Sequence, residues 1–252
     1  MDNRCGTLRF GEGWEKLELL RDLEETAKDC RIAADNRLSD CATEAERERA
    51  KPWREFRRVI GFPLFNLILE IARSDIRSEQ RNLAADILAH LWHPAAVDRL
   101  VEDLNENAGS LLGTQISSIF INLAGIGNEV AARGLISLWG EGFDHYIPEA
   151  LAACKSKAGE AFLFVQARDN KDYCLRGICI CYLNSKVSEE KSVFLLEKVR
   201  SGVHFEQYAA VKKIAGMHLT ILAPELMAVC NKSEDPELKD EIHKALRTLR
   251  KQ

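Results

Sequence analysis

The stretch INLAGIGNEVAARGLISLW (121–139) contains two series of apolar residues at helical spacing, which we call apolar ladders, separated by a pair of glycines. A glycine pair of this kind either cradles a phosphate or joins two helices. A phosphate loop carries a Lys-Ser or Lys-Thr pair, which GIGNEVA lacks. Gly125 and Gly127 follow the last rung of one ladder, and Asn128, a favoured N-cap, precedes the next. The stretch therefore predicts a turn between two helices, and we interpret GEGF (140–143) in the same way.

The same ladder extends outward from this turn, from about residue 64 to the C-terminus. Apolar residues stand at i, i+3, i+4 and i+7, and every second helix recurs at a spacing of about 30 residues, which is typical of a helical solenoid. No strand pattern of period 2 is found, and all six prolines stand at or near predicted helix starts. We therefore predict an all-α fold. One set of rungs and its repeat 32 positions later are Ala84, Ile87, Leu88 and Leu91, then Ile116, Ile119, Phe120 and Leu123.

Composition sets broad limits on function. The chain has 252 residues, of which 46% are hydrophobic, and a net charge of −4. This acidity argues against nucleic acid as the partner, because nonspecific binding needs a basic field over the phosphates. The N-terminus has no apolar core of a signal peptide, and no apolar run approaches the roughly 20 residues that span a bilayer. We therefore expect a cytoplasmic protein that does not enter a membrane and whose eight cysteines are reduced.

The N-terminal region differs from the rest of the chain. Its helical stripe is thin and set among many charges, which favours a solvated helix, either one long helix or a hairpin broken near ADNRLSD (34–40). We divide the chain into an N-terminal helical extension or cap, residues 1–59, and a repeat array, residues 60–252. The stripe consists of Trp14, Leu17, Leu20, Leu23, Ala27, Cys30, Ala34 and Cys41.

The array resembles known helical repeats. DPELKDEIHKAL (235–246) resembles the opening of the second helix of a HEAT repeat, and SDIRSEQRNLAADILAHL (74–91) and RDNKDYCLRGICICYL (168–183) are looser versions. INLAGIGNEVAARGLISLW is similar to the short HEAT-like units of the bilin-lyase type. This HEAT-like, armadillo-type resemblance implies a right-handed α-α superhelix of about six helix pairs. It implies little about function, because the scaffold serves many tasks.

In such a superhelix, the polar positions of the second helices line the concave side. They carry charges of both signs, as in a protein-binding groove, although ordinary solvation explains any single one equally well. The predicted partner-binding residues are Asn82, Asp86, Ser118, Asn122, Tyr173, Arg176, Lys212 and Lys213.

A basic segment, RERAKPWREFRRV (47–59), is a second candidate surface. Arg54, Arg57 and Arg58 share one helical face and are candidates to grip phosphates or an acidic partner. Interspersed glutamates favour a solvated face instead.

No catalytic, metal or cofactor site is predicted. Cys174 and Cys181 share a helical face from which Cys179 diverges, and no Cys-x-x-Cys spacing occurs, so core packing is the favoured role of these thiols. His90 and His93 stand at a helix end before a proline. HEAT-like metal hydroxylases carry His-Glu pairs and HEAT-like DNA glycosylases carry a catalytic Asp in a basic groove, and this sequence has neither pattern.

We therefore predict a non-enzymatic interaction module, an adaptor or an inhibitor of the immunity type, that binds another protein in the concave groove. Two alternatives stay open. One is a HEAT-like chromophore lyase or chaperone, which the bilin-lyase resemblance implies. The other is a nucleic-acid binder that uses residues 47–58.

Overall fold

The computed structural model describes residues 13–38, 43–74, 79–107, 109–184 and 186–250. Within these ranges the regular structure is entirely helical and contains no strand, which confirms the all-α prediction. The chain forms two compact units, Met1–Ile126 and Gly127–Gln252. The boundary predicted from the sequence is a different one. It separates an N-terminal extension or cap, residues 1–59, from a repeat array, residues 60–252, and it stays a prediction.

The first unit contains seven α-helices in its described part and a 3₁₀ turn at Pro94–Ala96. Helix α1 packs against α3 and α5, α4 pairs with α5, and α6 contacts both α5 and α7. The helices are α1 (Gly13–Leu38), α2 (Glu44–Arg49), α3 (Pro52–Ile60), α4 (Phe62–Ala72), α5 (Glu79–His90), α6 (Val97–Asn107) and α7 (Gly113–Ile126).

Helix α1 is not the solvated helix that its charges favour. Its thin apolar stripe is buried from Leu20 to Ala34 because α3 and α5 pack along it. Each fully buried leucine removes enough apolar surface from water to contribute about 2 kcal/mol before conformational entropy is subtracted. The side chain of Trp14 and all of Cys41 lie outside the described residues. The expectation of a mainly solvated helix is therefore wrong.

The second unit is built from successive helix pairs. In α10/α11, α12/α13 and α14/α15, each helix packs against the next along the chain, and a short loop joins the two. Helices α11, α13 and α15 lie side by side in one layer, and α12 contacts α14 in the other. The helices are α8 (Glu129–Ser137), α9 (Ile147–Cys154), α10 (Lys157–Asp169), α11 (Tyr173–Tyr182), α12 (Glu189–Ser201), α13 (His204–Gly216), α14 (Ala223–Lys232) and α15 (Pro236–Arg250).

Local sequence signals start these helices as predicted. Every proline stands in or next to the first turn of a helix, where its missing N–H costs no hydrogen bond. Side chains accept hydrogen bonds from the first-turn N–H groups at several starts, for example Asn128 from Ala131 (2.9 Å) and Ser156 from Gly159 (2.8 Å). The caps explain why helices as short as α8 begin where they do.

The two glycines of the opening stretch have different roles. Gly127 adopts φ 60° directly before the Asn128 cap, as a turn between helices requires. Gly125, expected in the turn, lies instead inside the last turn of α7. A Cβ atom at this position would stand 2.3 Å from the ring of Trp92. Gly125 is therefore explained by the close approach of an aromatic ring and not by the turn. The second predicted turn is confirmed, because Gly140 and Gly142 adopt φ 88° and 91°.

Candidate interaction surface

The predicted surface residues of the first unit occupy two helices. Asn82 and Asp86 are exposed on α5, and Ser118 is exposed on α7. Asn122, also on α7, is only 8% exposed. Its side-chain oxygen accepts a hydrogen bond of 3.2 Å from Nη1 of Arg31, on α1. Asn122 therefore faces the protein, and its contact serves to position α1.

Arg31 forms the centre of this contact, and the sequence analysis did not identify it. Its guanidinium lies 3.8 Å from the ring centroid of Trp92. Nη1 also donates to the carbonyl of His90 (3.2 Å), and Nε donates to Asp35 (3.0 Å). Burial lowers the pKa of Arg31, while Asp35 acts in the opposite direction. A half-buried guanidinium with these partners ties α1 to α5 and α7.

Asp86 is the most perturbed of the predicted surface residues in this unit. Its side chain retains solvent contact, but the surrounding protein removes enough water to raise its pKa to about 6. The negative charges of Asp103 and Glu24 act in the same direction, and Arg99 opposes them. Asp86 is therefore exposed on α5 but close enough to Asp103 and Glu24 for their charges to disfavour its ionised form.

The basic segment does not present three uncommitted guanidinium groups. Arg54 lies 4.5 Å from the ring centroid of Trp53, and Arg57 lies 4.5 Å from that of Phe62. Arg58 forms an ion pair with Glu55. The hydrogen bond that Arg58 donates to Glu55 lowers the pKa of the Glu55 carboxyl. The rings and the carboxylate hold these side chains in local contacts that a phosphate ligand would have to displace.

The second unit brings four predicted residues onto two helices that pack against each other. Tyr173 and Arg176 lie on α11, and Lys212 and Lys213 lie on α13. Tyr173 is 52% exposed and Lys212 is exposed. Lys213 is half-buried, and its ammonium donates to the carbonyl of Cys181 at 3.0 Å. Burial lowers the pKa of Lys213.

Arg176 belongs to a buried ion cluster with Glu206, a residue that the sequence analysis missed. Nε of Arg176 donates to Glu206 at 2.6 Å, and the ammonium of Lys198 donates at 3.0 Å. Glu206 is 2% exposed and also accepts from the N–H of Val203 at 3.1 Å. Burial alone would raise the pKa of Glu206, but these hydrogen bonds outweigh it and hold the pKa at about 2. The cluster joins α11, α12 and α13.

Aromatic side chains stand on two of the helices that this cluster joins, near the starts of α11 and α13. Phe205 is 40% exposed, and it packs so closely on Gly177 that a Cβ there would stand 2.3 Å from its ring. His204 and Tyr208 have ring centroids 4.5 Å apart, and His204 pairs with Asp235 at 3.0 Å. We call Tyr173, His204, Phe205 and Tyr208 the aromatic edge. The only feature of the sequence that could have revealed the aromatic edge is the presence of aromatic residues near the start of both α11 and α13.

The thiols and imidazoles do not form a metal site in the described part of the chain. No three His, Cys, Asp or Glu side chains converge there in a way that would hold a metal ion. Cys179 is buried, and burial raises its pKa to about 12, whereas Cys181 is exposed. His93 accepts a hydrogen bond from the N–H of Ala95 at 3.2 Å. None of the described helices is long and apolar enough to cross a membrane.

Comparison with protein-family models, with curated proteins and with solved structures returns no match.

Proposed function

We propose that the chain is a non-enzymatic interaction module, an adaptor or an inhibitor of the immunity type, that binds a partner protein. One observation carries the proposal: the exposed aromatic edge lies on two packed helices, with Tyr173 52% exposed and Phe205 40% exposed. Aromatic side chains are enriched at protein interfaces because they offer a large contact area at a small cost in conformational entropy.

The edge has the rigid support that a binding surface needs. Phe205 is held on α11 by its contact with Gly177, and the neighbouring Glu206 is fixed by Arg176 and Lys198. A ring that is already ordered before binding loses less rotational freedom when a partner covers it. This favours Tyr173 and Phe205 as anchors and Lys212 as a residue at the rim.

We further infer that the helix pairs of the second unit follow a right-handed α-α superhelix of the HEAT type, with α11 and α13 on its concave side. The support is the stacking of α11, α13 and α15 in one layer. The predicted residues Tyr173, Arg176, Lys212 and Lys213 all belong to helices of this layer. We propose the cytoplasm as the location, and the proposal is supported by the six cysteines in the described part of the chain, all of which are free thiols, as is usual in a reducing compartment.

Comparative affinity capture tests the function. The whole chain, its Tyr173→Ala variant and its Phe205→Ala variant are immobilised in equal amounts and exposed to the same native lysate. We expect at least one protein to be recovered in stoichiometric amount by the wild type. Its recovery should fall about tenfold or more with each variant, as for an interface hot spot.

The matched control is Tyr146→Ala, because Tyr146 is 43% exposed and lies outside the aromatic edge. Circular dichroism establishes that all variants are folded. Equal recovery by the wild type and by both aromatic-edge variants would refute the assignment of the surface. Recovery of no stoichiometric partner by a folded wild-type chain would refute the function.

A further inference from the structure

Helices α10 and α12, on the opposite side of their pairs from the aromatic edge, are bridged by two side-chain contacts, which we call rungs. The first rung is an ion pair between Glu160 and Lys191, with 2.5 Å between the charged atoms. The second is an aromatic contact between Phe164 and Phe194, whose ring centroids are 5.2 Å apart. Beyond these rungs the helices border an open groove of about 570 Å³.

The ion pair of the first rung is reinforced by further hydrogen bonds of Lys191. Lys191 is 7% exposed, and its ammonium also donates to Asn184 Oδ1 at 2.5 Å and to the carbonyl of Lys186 at 3.2 Å. A buried ammonium with three oxygen partners is costly to separate from them. This contact therefore helps to hold α10 beside α12.

The floor of the groove is apolar and partly uncovered. Phe164 and Phe194 form its base, and Val193 stands on its α12 side. Phe194 is 6% exposed, whereas Val193 is 61% exposed. Covering Val193 would contribute about 1 to 2 kcal/mol through the apolar area removed from water.

The rim of the groove carries an excess of negative charge. Glu189, Glu190 and Glu197 line it, and none of the three carboxylates forms an ion pair at contact distance with a described side chain. Arg168 interacts with Glu190 only at longer range, and the ammonium of Lys198 lies 5.7 Å from the ring centroid of Phe194, but each of these two cations has another carboxylate as its direct partner. Arg168 pairs with Asp169 at 2.8 Å, and Lys198 pairs with Glu206 at 3.0 Å. The charge that an incoming ligand meets is therefore acidic.

The spacing along α12 specifies the ligand further. Glu190, Val193 and Glu197 follow one another at intervals of three and four residues, so they lie on one face over two helical turns. Two turns extend about 11 Å. A ligand that matches this face presents an apolar side chain with a basic side chain about one turn to either side.

We propose that the groove between α10 and α12 binds an amphipathic, basic helical segment of a partner protein. One apolar side chain of that segment packs on Phe164, Val193 and Phe194, and flanking Lys or Arg side chains pair with Glu190 and Glu197. This is a helix-in-groove mode of recognition with electrostatic selection of the ligand. It uses a surface separate from the aromatic edge, so it does not depend on the proposed function.

The probe is a displayed library of 16-residue peptides, selected on the whole chain. We expect the enriched peptides to share an apolar residue flanked by Lys or Arg at intervals of three or four residues. Fluorescence anisotropy with a synthetic enriched peptide should then show affinity that falls steeply as salt is raised.

Two variants and two controls assign the site. Val193→Asp and Glu190→Lys/Glu197→Lys should each weaken the peptide about tenfold or more, because each reverses the complementarity at the groove. Val130→Asp, at a valine that is 50% exposed on α8, should leave the affinity within about twofold. Tyr173→Ala should also leave it unchanged, which separates this test from that of the aromatic edge. Circular dichroism checks that every variant is folded.

Three outcomes overturn the proposal. One is the absence of any enriched peptide, and another is enrichment of neutral or acidic peptides. The third is binding that survives both groove variants. Sedimentation of the wild type and of Val193→Asp tests whether a second copy of this chain occupies the groove. A wild-type dimer that Val193→Asp dissociates would show that it does, and this would overturn the assignment to a partner segment.

Discussion

The guanidinium of Arg31 stacks on the indole of Trp92, 3.8 Å from the ring centroid, although 61 positions separate the two residues. Trp92 itself adopts φ 53°, a left-handed conformation that is costly for a bulky side chain. The ring is also in close contact with Gly125 of α7. The ring therefore contacts residues of both α1 and α7, and it helps to hold the N-terminal helix.

Removing the guanidinium should loosen α1. We expect Arg31→Ala to lower the free energy of unfolding by about 2 kcal/mol, because it removes the cation–π contact and the hydrogen bonds to Asn122 and to the carbonyl of His90. Urea denaturation followed by circular dichroism measures the change. Ile32→Ala, at the next position and 61% exposed, is the control and should change it by less than about 0.5 kcal/mol. Equal effects of the two substitutions would refute this role of Arg31.

Gly125→Ala should destabilise the protein, although alanine is the better helix former. Its Cβ would stand 2.3 Å from the Trp92 ring, so the indole has to move, at a cost of about 1 to 3 kcal/mol. Gly113→Ala is the control in the same helix, since a Cβ there meets nothing within 4 Å, and it should be neutral or slightly stabilising. Thermal melting of both variants checks the prediction, and a stable Gly125→Ala variant would contradict the contact.

Glu206→Gln should destabilise the protein by about 3 kcal/mol at neutral pH, because Arg176 and Lys198 then lose their shared carboxylate. The folded pKa of Glu206, about 2, lies below its ordinary value of 4.5. The carboxylate therefore stabilises the fold above about pH 4.5, and this stabilisation is lost as the pH falls from 4.5 towards 2.

Chemical denaturation of the wild type and of Glu206→Gln over this pH range provides the measurement. The difference in unfolding free energy should shrink as the pH falls. Glu141→Gln, at an exposed position in a turn, is the control. A difference that stays constant with pH would contradict the assigned state of Glu206.

The charge of Asp86 should affect stability in the opposite direction from that of Glu206. Its folded pKa of about 6 lies above its ordinary value of 3.8, so folding disfavours its charged form, and stability is lost as the pH rises from 3.8 through 6. Asp86→Asn should therefore raise the melting temperature at pH 8 and have little effect at pH 3.5. Asp98→Asn, at an exposed position on α6, should have little effect at either pH. If Asp86→Asn raised the melting temperature equally at pH 8 and at pH 3.5, the charge of Asp86 would not be the cause.

The helices were predictable from the sequence because their signals are local. The prolines, the Asn128 cap and the apolar ladder around Leu88 each lie within a few residues of the structure they specify. The apolar stripe of α1 was found in the sequence, but a solvated helix was favoured over a packed one, because the stripe is thin and charges dominate the local pattern. Only the packing of α3 and α5 distinguishes it from a solvated helix.

The contacts that build the candidate surfaces were not predictable in the same way. Arg176 was predicted as a surface residue, but its partner Glu206 is 30 positions away, and Arg31 bonds to Asn122 across 91 positions. Pairs at such separations have no local signature. The exposure of Tyr173 was predictable because it follows from helical periodicity, whereas the approach of Phe205 to Gly177 depends on how two helices pack.

Site-specific photo-cross-linking in living cells tests the proposed function most directly. Tyr173 is replaced by a photoreactive phenylalanine analogue in one sample and Val130, exposed on α8, is replaced in another. We expect irradiation to link position 173, and not position 130, to one recurrent protein that mass spectrometry identifies. No protein adduct at position 173, or the same adducts at both positions, would contradict it.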